Sequence, residues 1–302
     1  MALWQTQWVI ACLRASYPQC NFEIQTFQTY GDQVLNVALS KIGDKGLFTK
    51  ELEQALGAGE IDFAVHSLKD LPGDMPEGLC LGAVCRREEP GDVLVSRGVS
   101  FRDLPQGAFV GTSSLRRSAQ LLFARPDLKI APIRGNIETR LRKLDSEGFD
   151  AVVLAAAGVI RLGLQSHITE LLPPDICLSA IGQGAVAVEC REGDTSVLEV
   201  LAAIDDKPTR LATTAERALM RELGGGCQVP VAALAQLDED VLVMDALVAR
   251  VDGSEVIRVR REQGLKDDPA YEAQALGILV AQDLRERGAE EILRLCEGGA
   301  RE

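Results

Sequence analysis

The sequence predicts a mixed α/β protein with mostly parallel sheets, followed by a smaller α+β unit with an antiparallel sheet. Up to about residue 209, short apolar runs typical of buried strands alternate with segments of helical periodicity, which is the pattern of βα units. After residue 209 a helix precedes three strand-like runs, and Asp252-Gly253 between the last two is a hairpin-turn signal. A length of 302 residues suits two or three domains.

The individual elements follow from apolar spacing and from the residues that end them. Helical spacing predicts helices at residues 2–13, 48–56, 115–123, 137–144, 212–223 and 269–287. Alternation or short apolar runs predict strands at residues 22–26, 61–65, 108–110, 129–133, 151–155, 231–235, 241–249 and 255–260. Gly57 and Gly148 end two of the helices, as glycine commonly does.

Composition and charge exclude several classes of function. Apolar residues make up 46% of the chain and charged residues 25%, as in globular proteins. The net charge of −13 argues against a nucleic-acid partner, which normally requires a basic face. The longest apolar run, residues 151–160, is about half the length of a membrane-spanning helix, and the first residues lack the basic segment of a signal peptide. We therefore expect a cytoplasmic protein without a membrane partner.

Cysteine and histidine usage argues against a metal site. The chain has eight cysteines and two histidines, and no pair of cysteines has CxxC spacing. Zinc sites draw on such pairs and on clustered imidazoles. Since disulfides are rare in cytosolic proteins, we expect free thiols and no metal.

A cationic stretch stands out in this acidic chain. Between residues 111 and 143 there are eight basic residues and two acidic ones. Within it, Thr112, Ser113 and Ser114 lie between a strand and a helix, where hydroxyls and free helix N–H groups favour an anion. Arg116 and Arg117 oppose the helix dipole there, which indicates an anionic partner. Helix capping alone explains the serines but not the paired arginines.

Two further strand ends carry comparable residues. Arg134 ends a strand, and the turn after it leads into the helix that carries Arg140, so both arginines are predicted at the carboxyl edge of the sheet, where α/β proteins bind ligands. Lys69 and Asp70 follow another strand; such a pair is usually only a turn, but beside four arginines Asp70 is a candidate for proton transfer or for stabilising a cation. The glycine turn that contains Gln183 is either a ligand loop or hinge, or a simple turn.

Cys227 follows three glycines and precedes Pro230 by three positions. Glycines at this density exclude a helix interior, and the proline keeps Val229 extended. A thiol displayed in this way suits covalent attachment or nucleophilic chemistry. Taken alone, the segment fits slightly better a glycine C-cap followed by a cysteine buried as a small apolar residue.

Together these segments resemble the porphobilinogen deaminase family, whose members are also called hydroxymethylbilane synthases. The matching stretches are ALWQT (2–6), KIGDKGLFTKELE (41–53), AVHSLKDLP (64–72), VGTSSLRRSAQL (110–121), IRGNIETRLRKLD (133–145), LAAAGVIRLGL (154–164), AIGQGAVAVECR (180–191) and GGCQVPVA (225–232). They span nearly the whole chain in the family's order. Members of this family join four porphobilinogen molecules head to tail, release ammonia at each step and deliver a linear hydroxymethylbilane.

The resemblance implies a fold of two periplasmic-binding-protein-like parallel-sheet domains and a C-terminal α+β domain. It places domain 1 at residues 1–86 and 183–207, domain 2 at 87–182 and domain 3 at 208–302. The family has a strand ahead of ALWQT, with an arginine and a serine that contact the cofactor. We expect domain 1 of this chain to lack that strand, and the chain as written to be poorly active. A monomer is expected.

The resemblance also implies the roles of individual residues. Cys227 becomes the thioether anchor of a dipyrromethane primer, and Asp70 the catalytic carboxylate close to the pyrrole nitrogens. Cofactor-binding residues would be Lys69, Ser67, Thr112, Ser113, Ser114, Arg116, Arg117, Arg134 and Gln183. Substrate-binding residues would be Arg140, Arg134, Lys45 and Phe48, the last two from the family's mobile loop.

This chemistry fits the residues. Each pyrrole carries two carboxylates, so a growing chain needs several guanidinium groups. Deamination yields a cationic azafulvene, which a carboxylate such as Asp70 stabilises. Tethering on Cys227 makes each coupling intramolecular. The alternative from another class is an intracellular two-lobed module that binds a small polycarboxylate, which needs neither Asp70 nor Cys227.

Overall fold

In a computed structural model of the chain, the described residues are 1–29, 49–224 and 229–298. The helices are α1 (Ala2–Ser16), α2 (Lys50–Gly57), α3 (Leu115–Ala124), α4 (Ile137–Ser146), α5 (Ala156–Arg161), α6 (Thr195–Leu201), α7 (Lys207–Glu222), α8 (Pro269–Glu286) and α9 (Ala289–Gly298). The strands are β1 (Phe63–Ser67), β2 (Leu79–Val84), β3 (Asp92–Ser96), β4 (Phe109–Gly111), β5 (Lys129–Ala131), β6 (Ala151–Ala155), β7 (Glu170–Leu172), β8 (Val186–Arg191), β9 (Val231–Asp238), β10 (Val241–Ala249) and β11 (Val256–Gly264). Short 3₁₀ turns lie at Leu68–Asp70, Gln165–His167 and Ala202–Ile204.

The first sheet has the strand order β1-β8-β2, and β8 is antiparallel to both neighbours. On one face, Val9 and Leu13 of α1 pack against Val186 and Val188 of β8, all of them fully buried. The 3₁₀ turn at the end of β1 packs on the opposite face through Leu68. This sheet therefore places the end of β1 between two packed layers.

The second sheet has the order β5-β4-β6-β3-β7. Strand β4 is parallel to β5 and β6, whereas β3 is antiparallel to β6 and β7. The helices α3 and α4 connect β4, β5 and β6, and such crossovers are what parallel pairing requires. Strands β3 and β8 instead follow connections between the two sheets. The mixed α/β class is confirmed, but within residues 1–29, 49–224 and 229–298 only the helix-connected strands pair in parallel.

The third sheet, β11-β10-β9, is antiparallel throughout, and turn residues 251–254 join β10 to β11 as predicted. Its buried face packs on α7 and α8 in the largest apolar cluster. The two helices approach closely, since a Cβ on Gly277 would clash with the carbonyl oxygen of Ala215. The C-terminal α+β unit is thus confirmed, with α7 beginning five residues before the predicted helix.

Most predicted elements form within a few residues of their expected bounds. The predicted strand at residues 22–26 is wrong: the segment is irregular, and the ring of Phe22 packs edge-on against Phe63 instead of joining a ladder. Strands β2, β3, β7 and β8 were not predicted. Their residues are buried on both faces or lie in short runs, so they show little alternation.

The chain passes between the first and second sheets twice, before β3 and before β8. Glu216 of α7 forms hydrogen bonds with both of these connections and with the third sheet. Its buried carboxylate accepts hydrogen bonds from Arg87 at 2.6 and 3.2 Å, from the N–H of Gly182 at 2.7 Å and from the N–H of Ala235 at 2.8 Å. Arg87 also donates to the carbonyl oxygen of Gln183 at 2.7 Å. These bonds fix the position of the glycine turn that borders the cavity described next.

Candidate active site

A cavity of about 320 Å³ lies where elements of the first and second sheets meet. Strand ends, helix starts and the glycine turn before β8 supply its wall. Among the predicted site residues, the wall includes Ser67, Lys69, Asp70, Arg117, Arg140 and Gln183. With Arg161 and Glu138, the wall has four cationic side chains and two carboxylates. The cavity is therefore suited to an anionic ligand.

The 3₁₀ turn that carries Lys69 and Asp70 is held tightly against the first sheet. The N–H of Leu68 donates to the carbonyl oxygen of Ala185 at 3.0 Å. Gly182, with φ of 69°, lies so close that a Cβ there would be 3.2 Å from the backbone nitrogen of Lys69. A side chain at position 182 would thus be strained and would push the turn away.

Asp70 has no hydrogen bond or ion pair in the part of the chain that the structure describes. Its side chain is open to the cavity but lies deep in the cleft, and burial among protein atoms raises its pKa, partly offset by Lys69 and His66. Burial lowers the pKa of Lys69, an effect opposed by Asp70 and increased by Arg117. Lys69 donates to Oε1 of Gln183 at 3.4 Å. Its raised pKa and its position in the wall make Asp70 a candidate for chemistry on a bound ligand.

Arg116 and Arg117 share one buried internal partner, Asp92, at the start of β3. Each guanidinium lies 2.7 Å from a different oxygen of Asp92. Burial alone raises the pKa of Asp92, but the charges and hydrogen bonds of the two arginines outweigh it and hold the pKa far below its ordinary value. An internal anion therefore accompanies the two arginines, and their binding of a ligand anion stays a prediction. Asp92 was missed because the sequence gives no sign that it meets residues on α3.

The two arginines point to different places. Arg117 lies in the cavity wall and donates to the carbonyl oxygen of Val153 at 3.2 Å. Arg116 lies outside that wall and donates to the carbonyl oxygen of Leu178 at 2.5 Å. Gln183 connects this pair to the turn that carries Lys69 and Asp70, because its Nε2 donates to Asp92 at 2.9 Å while its Oε1 accepts from Lys69.

The three predicted hydroxyls make local hydrogen bonds and lie outside the cavity wall. Ser114 caps α3 by accepting from the N–H of Arg117 at 3.4 Å. Ser113 donates to the carbonyl oxygen of Ile133 at 2.8 Å, and Thr112 accepts from the N–H of Ser114 at 3.2 Å. They shape the start of α3, which is the capping alternative considered above.

The strand–turn–helix around Arg134 forms as predicted. Gly135 has φ of 116°, and Asn136 caps α4 by accepting from the N–H of Thr139 at 2.8 Å. Arg140 enters the cavity wall and donates to the carbonyl oxygen of Gly135 at 2.8 Å. Burial, and then the charge of Arg117, lower the pKa of Arg140. Arg134 is half-buried and lies outside the wall.

Two cavity residues were missed by the sequence reasoning. Arg161, at the end of α5, donates to the carbonyl oxygen of Gly184 at 2.6 Å and lies 5.9 Å from the ring centre of Trp4. Arg161 follows β6, which lies in the same sheet as β4 and β5. This position could have predicted that Arg161 lies near the arginines that follow those two strands. Gln5 of α1 is buried, and its Nε2 donates to Oγ of Ser67 at 2.9 Å.

Three predicted residues, Cys227, Lys45 and Phe48, lie outside the described residues. The described neighbours of Cys227 are the end of α7 and Val229. Val229 packs against the apolar cluster between the third sheet and helices α7 and α8. Across residues 1–29, 49–224 and 229–298, no cluster of histidine, cysteine, aspartate or glutamate is suited to a metal ion. Among the described helices, none combines the length and the apolar character of a membrane span.

Fold and cavity together define an α/β protein with a cavity whose wall combines four cationic side chains with the carboxylate of Asp70. A family model described as "Porphobilinogen deaminase, dipyromethane cofactor binding domain" matches residues 1–199, and "Porphobilinogen deaminase, C-terminal domain" matches residues 210–286. The chain therefore belongs to the porphobilinogen deaminase family.

Individual relatives agree with the family models. A porphobilinogen deaminase of Desulforudis audaxviator is 55% identical over 99% of this chain and 96% of its own length. That of Pelotomaculum thermopropionicum is 53% identical over 97% of this chain and 93% of its own length. Among solved structures, a probable amino-acid ABC transporter binding protein of Bacillus subtilis is 14% identical, with a TM-score of 0.40 over 66% of this chain and 79% of its own.

Proposed function

We propose that this chain is a hydroxymethylbilane synthase that condenses four porphobilinogen molecules on a dipyrromethane primer held by Cys227, with release of ammonia and a linear tetrapyrrole, as a step of porphyrin biosynthesis. The observation that carries the proposal is Asp70, a carboxylate without a partner among the described residues, in a cavity wall with four cations. A binding module for polycarboxylates has no need of such a carboxylate.

The residues of the wall fit the cofactor. A dipyrromethane carries several carboxylates, and the wall offers guanidinium and ammonium donors at separate points around the cavity. Lys69 and Arg117 would hold these carboxylates, with Arg140 and Arg161 available for those of the substrate. When bound, the cofactor supplies the pyrrole carbon to which the first substrate is joined.

Asp70 would act on the substrate in two ways. Loss of ammonia from the aminomethyl group of porphobilinogen leaves a cation, and the ionised carboxylate stabilises that charge. The same carboxylate holds a proton during transfer between the pyrrole and the leaving amine, for which its raised pKa is suited. Lys69 and Gln183 keep the turn in place and leave the oxygens of Asp70 to the substrate.

Cys227 would anchor the primer by a thioether, as expected from its position after three glycines in the sequence. The intact protein mass tests this directly. We expect an adduct of two pyrrole units, which Cys227→Ser abolishes and which the control Cys12→Ser on α1 retains. An unmodified but folded wild-type protein would favour the binding module, and an adduct on another cysteine would refute the assignment.

The remaining proposals concern organisation. Three domains, at residues 1–86 with 183–207, 87–182 and 208–302, are supported by the distribution of the three sheets, since each range contains one of them. We also propose a cytoplasmic monomer, as expected from the sequence. Sedimentation of the purified protein tests the oligomeric state, and cell fractionation tests the compartment.

A further inference from the structure

Helix α7 contacts the segment that directly follows the 3₁₀ turn Leu68–Asp70. Nη2 of Arg217 donates to the carbonyl oxygen of Gly73 at 3.0 Å, three residues after Asp70. The same nitrogen lies 3.5 Å from Sδ of Met75. Gly73 packs closely here, because a Cβ on it would lie 3.1 Å from Cγ of Arg221. The helix therefore holds the far end of the segment that bears Asp70.

The near end of that segment is held by the first sheet, through the hydrogen bond from Leu68 to Ala185 and the contact with Gly182. Asp70 thus lies between two fixed points, one on the sheet side and one on α7. Helix α7 itself ends at Glu222, five residues before Cys227. One helix therefore leads to the proposed cofactor anchor and also contacts the catalytic segment.

Arg217 is only 5% exposed, which is unusual for a charged side chain. Burial lowers its pKa to about 10, with Arg221 adding to this and Asp74 and Glu189 opposing it. Glu189 on β8 is fully buried, and His66 Nε2 lies 3.0 Å from its Oε2. Glu189 therefore has His66 as its close partner and only a longer-range attraction to Arg217, while Nη2 of Arg217 holds Gly73.

We infer that Arg217 is a positioning residue for the reaction, which fixes Asp70 relative to the helix that leads to Cys227. This inference rests on the proposed function. Reactions between tethered groups are sensitive to small displacements, and an error of about 1 Å can cost about a hundredfold in rate. Arg217 is not one of the residues of the cavity wall, so it would affect the reaction through its contact with Gly73, at the end of the segment that bears Asp70.

The two tasks of Arg217 are separable by mutation. Arg217→Gln removes both a positive charge that is attracted to Glu189 and the donor that reaches Gly73. Adding Glu189→Gln removes the other partner of that attraction but does not restore the hydrogen bond to Gly73. A merely structural role therefore predicts that the double variant recovers stability and kcat together, whereas a positioning role predicts recovery of stability alone.

The experiment measures thermal unfolding, primer content by intact mass, and kcat and KM for porphobilinogen. We expect Arg217→Gln to unfold at a lower temperature and to lose about tenfold or more in kcat. In the double variant the unfolding temperature should recover while kcat remains low, with KM and primer content close to wild type. Recovery of kcat in the double variant, or a defect confined to KM or primer content, would overturn the inference.

Arg217→Lys covers the case in which neither variant folds. Lysine retains the charge beside Glu189 but lacks the guanidinium that reaches Gly73 and Met75, so we expect a folded, primed protein with reduced kcat. Wild-type kcat in that protein would overturn the inference. Lys207→Gln, exposed at the start of α7, is the matched control and should change nothing. A wild-type protein without adduct or turnover would instead contradict the proposed function.

Discussion

The carboxylate of Asp92 lies 2.7 Å from Nη2 of Arg117, and the side chain of Asp92 is fully buried. The same carboxylate holds Arg116 through its other oxygen. This arrangement gives the two arginines a fixed direction before any ligand arrives. Arg117 reaches the cavity wall and Arg116 turns toward the segment at Leu178. One internal anion therefore orients both guanidinium groups.

Asp92→Asn should be strongly destabilising. It leaves two buried guanidinium groups without their counter-charge, and breaking a buried pair in this way costs about 3–5 kcal/mol in the free energy of unfolding. Chemical denaturation at neutral pH measures the loss. Asp245→Asn, which breaks the more exposed pair with Arg260, is the matched control and should cost about 1 kcal/mol or less. Equal losses in the two variants would contradict the assigned importance of Asp92.

The destabilisation should depend on pH in a definite direction. The pKa of Asp92 is lowered in the folded protein, so the unfolded chain binds its proton more readily. The contribution of Asp92 is therefore complete above the unfolded pKa of about 3.9 and is lost as the pH falls below it. Unfolding of wild type and Asp92→Asn should accordingly converge at low pH. A difference that grows on acidification would contradict this account.

Asp70→Asn should keep the fold and lose activity. Asparagine has nearly the same shape but cannot carry the charge or the proton, and loss of such a group costs about 10² to 10⁴ in rate. Steady-state kinetics should show the loss in kcat, with primer still present in the intact mass. Asp74→Asn, an exposed carboxylate four residues later, should retain wild-type kcat. Near-normal turnover of Asp70→Asn would remove Asp70 from the mechanism.

The pH dependence of kcat should report the raised pKa of Asp70. Burial raises this pKa and the charge of Lys69 opposes the increase, so activity should fall on acidification at a pH above the usual aspartate value of about 3.9. Lys69→Gln removes the opposing charge and should move the acid limb to higher pH. The control is Lys143→Gln, which breaks a surface pair with Glu147 and should leave the limb in place. A shift to lower pH in Lys69→Gln would contradict the assignment.

The strand–turn–helix segments of the site were predictable from sequence because their signals are local. Ser114 and Asn136 cap helices at the predicted places, and Gly135 adopts the positive φ that only glycine adopts readily. The partners of the arginines were not predictable in this way. Asp92 lies 24 residues before Arg116 in the sequence, and only the pairing of β3 with β6 brings them together.

The directions of the strands could likewise be predicted only where a local sequence pattern determines them. Strands joined by helices, β4, β5 and β6, are parallel as the βα alternation indicates. The direction of β8 depends on how the chain returns from the second sheet to the first, which no local pattern encodes. Gln183 lies in that return segment, so its contacts with Lys69 and Asp92 follow from topology rather than from a motif.

Arg140→Leu should impair binding rather than chemistry. Its guanidinium is half-buried in the cavity wall, and a hydrogen bond to a charged group contributes about 1.5–3 kcal/mol, which corresponds to about a 10- to 100-fold rise in KM for porphobilinogen. Stability should not fall, because the replacement removes an unfavourable charge. Burial and the nearby charge of Arg117 both disfavour the protonated form of Arg140 and lower its pKa. Kinetics and thermal unfolding measure the two effects separately.

Arg142→Leu, two residues along α4, is the control for this last prediction. Arg142 is exposed and donates to Oγ1 of Thr139 at 3.2 Å, outside the cavity wall. The same loss of charge from the same helix should therefore leave KM within about twofold, since exposed charges interact weakly across solvent. If the two variants raise KM equally, the effect comes from the overall charge of α4 and not from a binding contact of Arg140. If Arg140→Leu lowers kcat at unchanged KM, Arg140 acts in the chemical step instead.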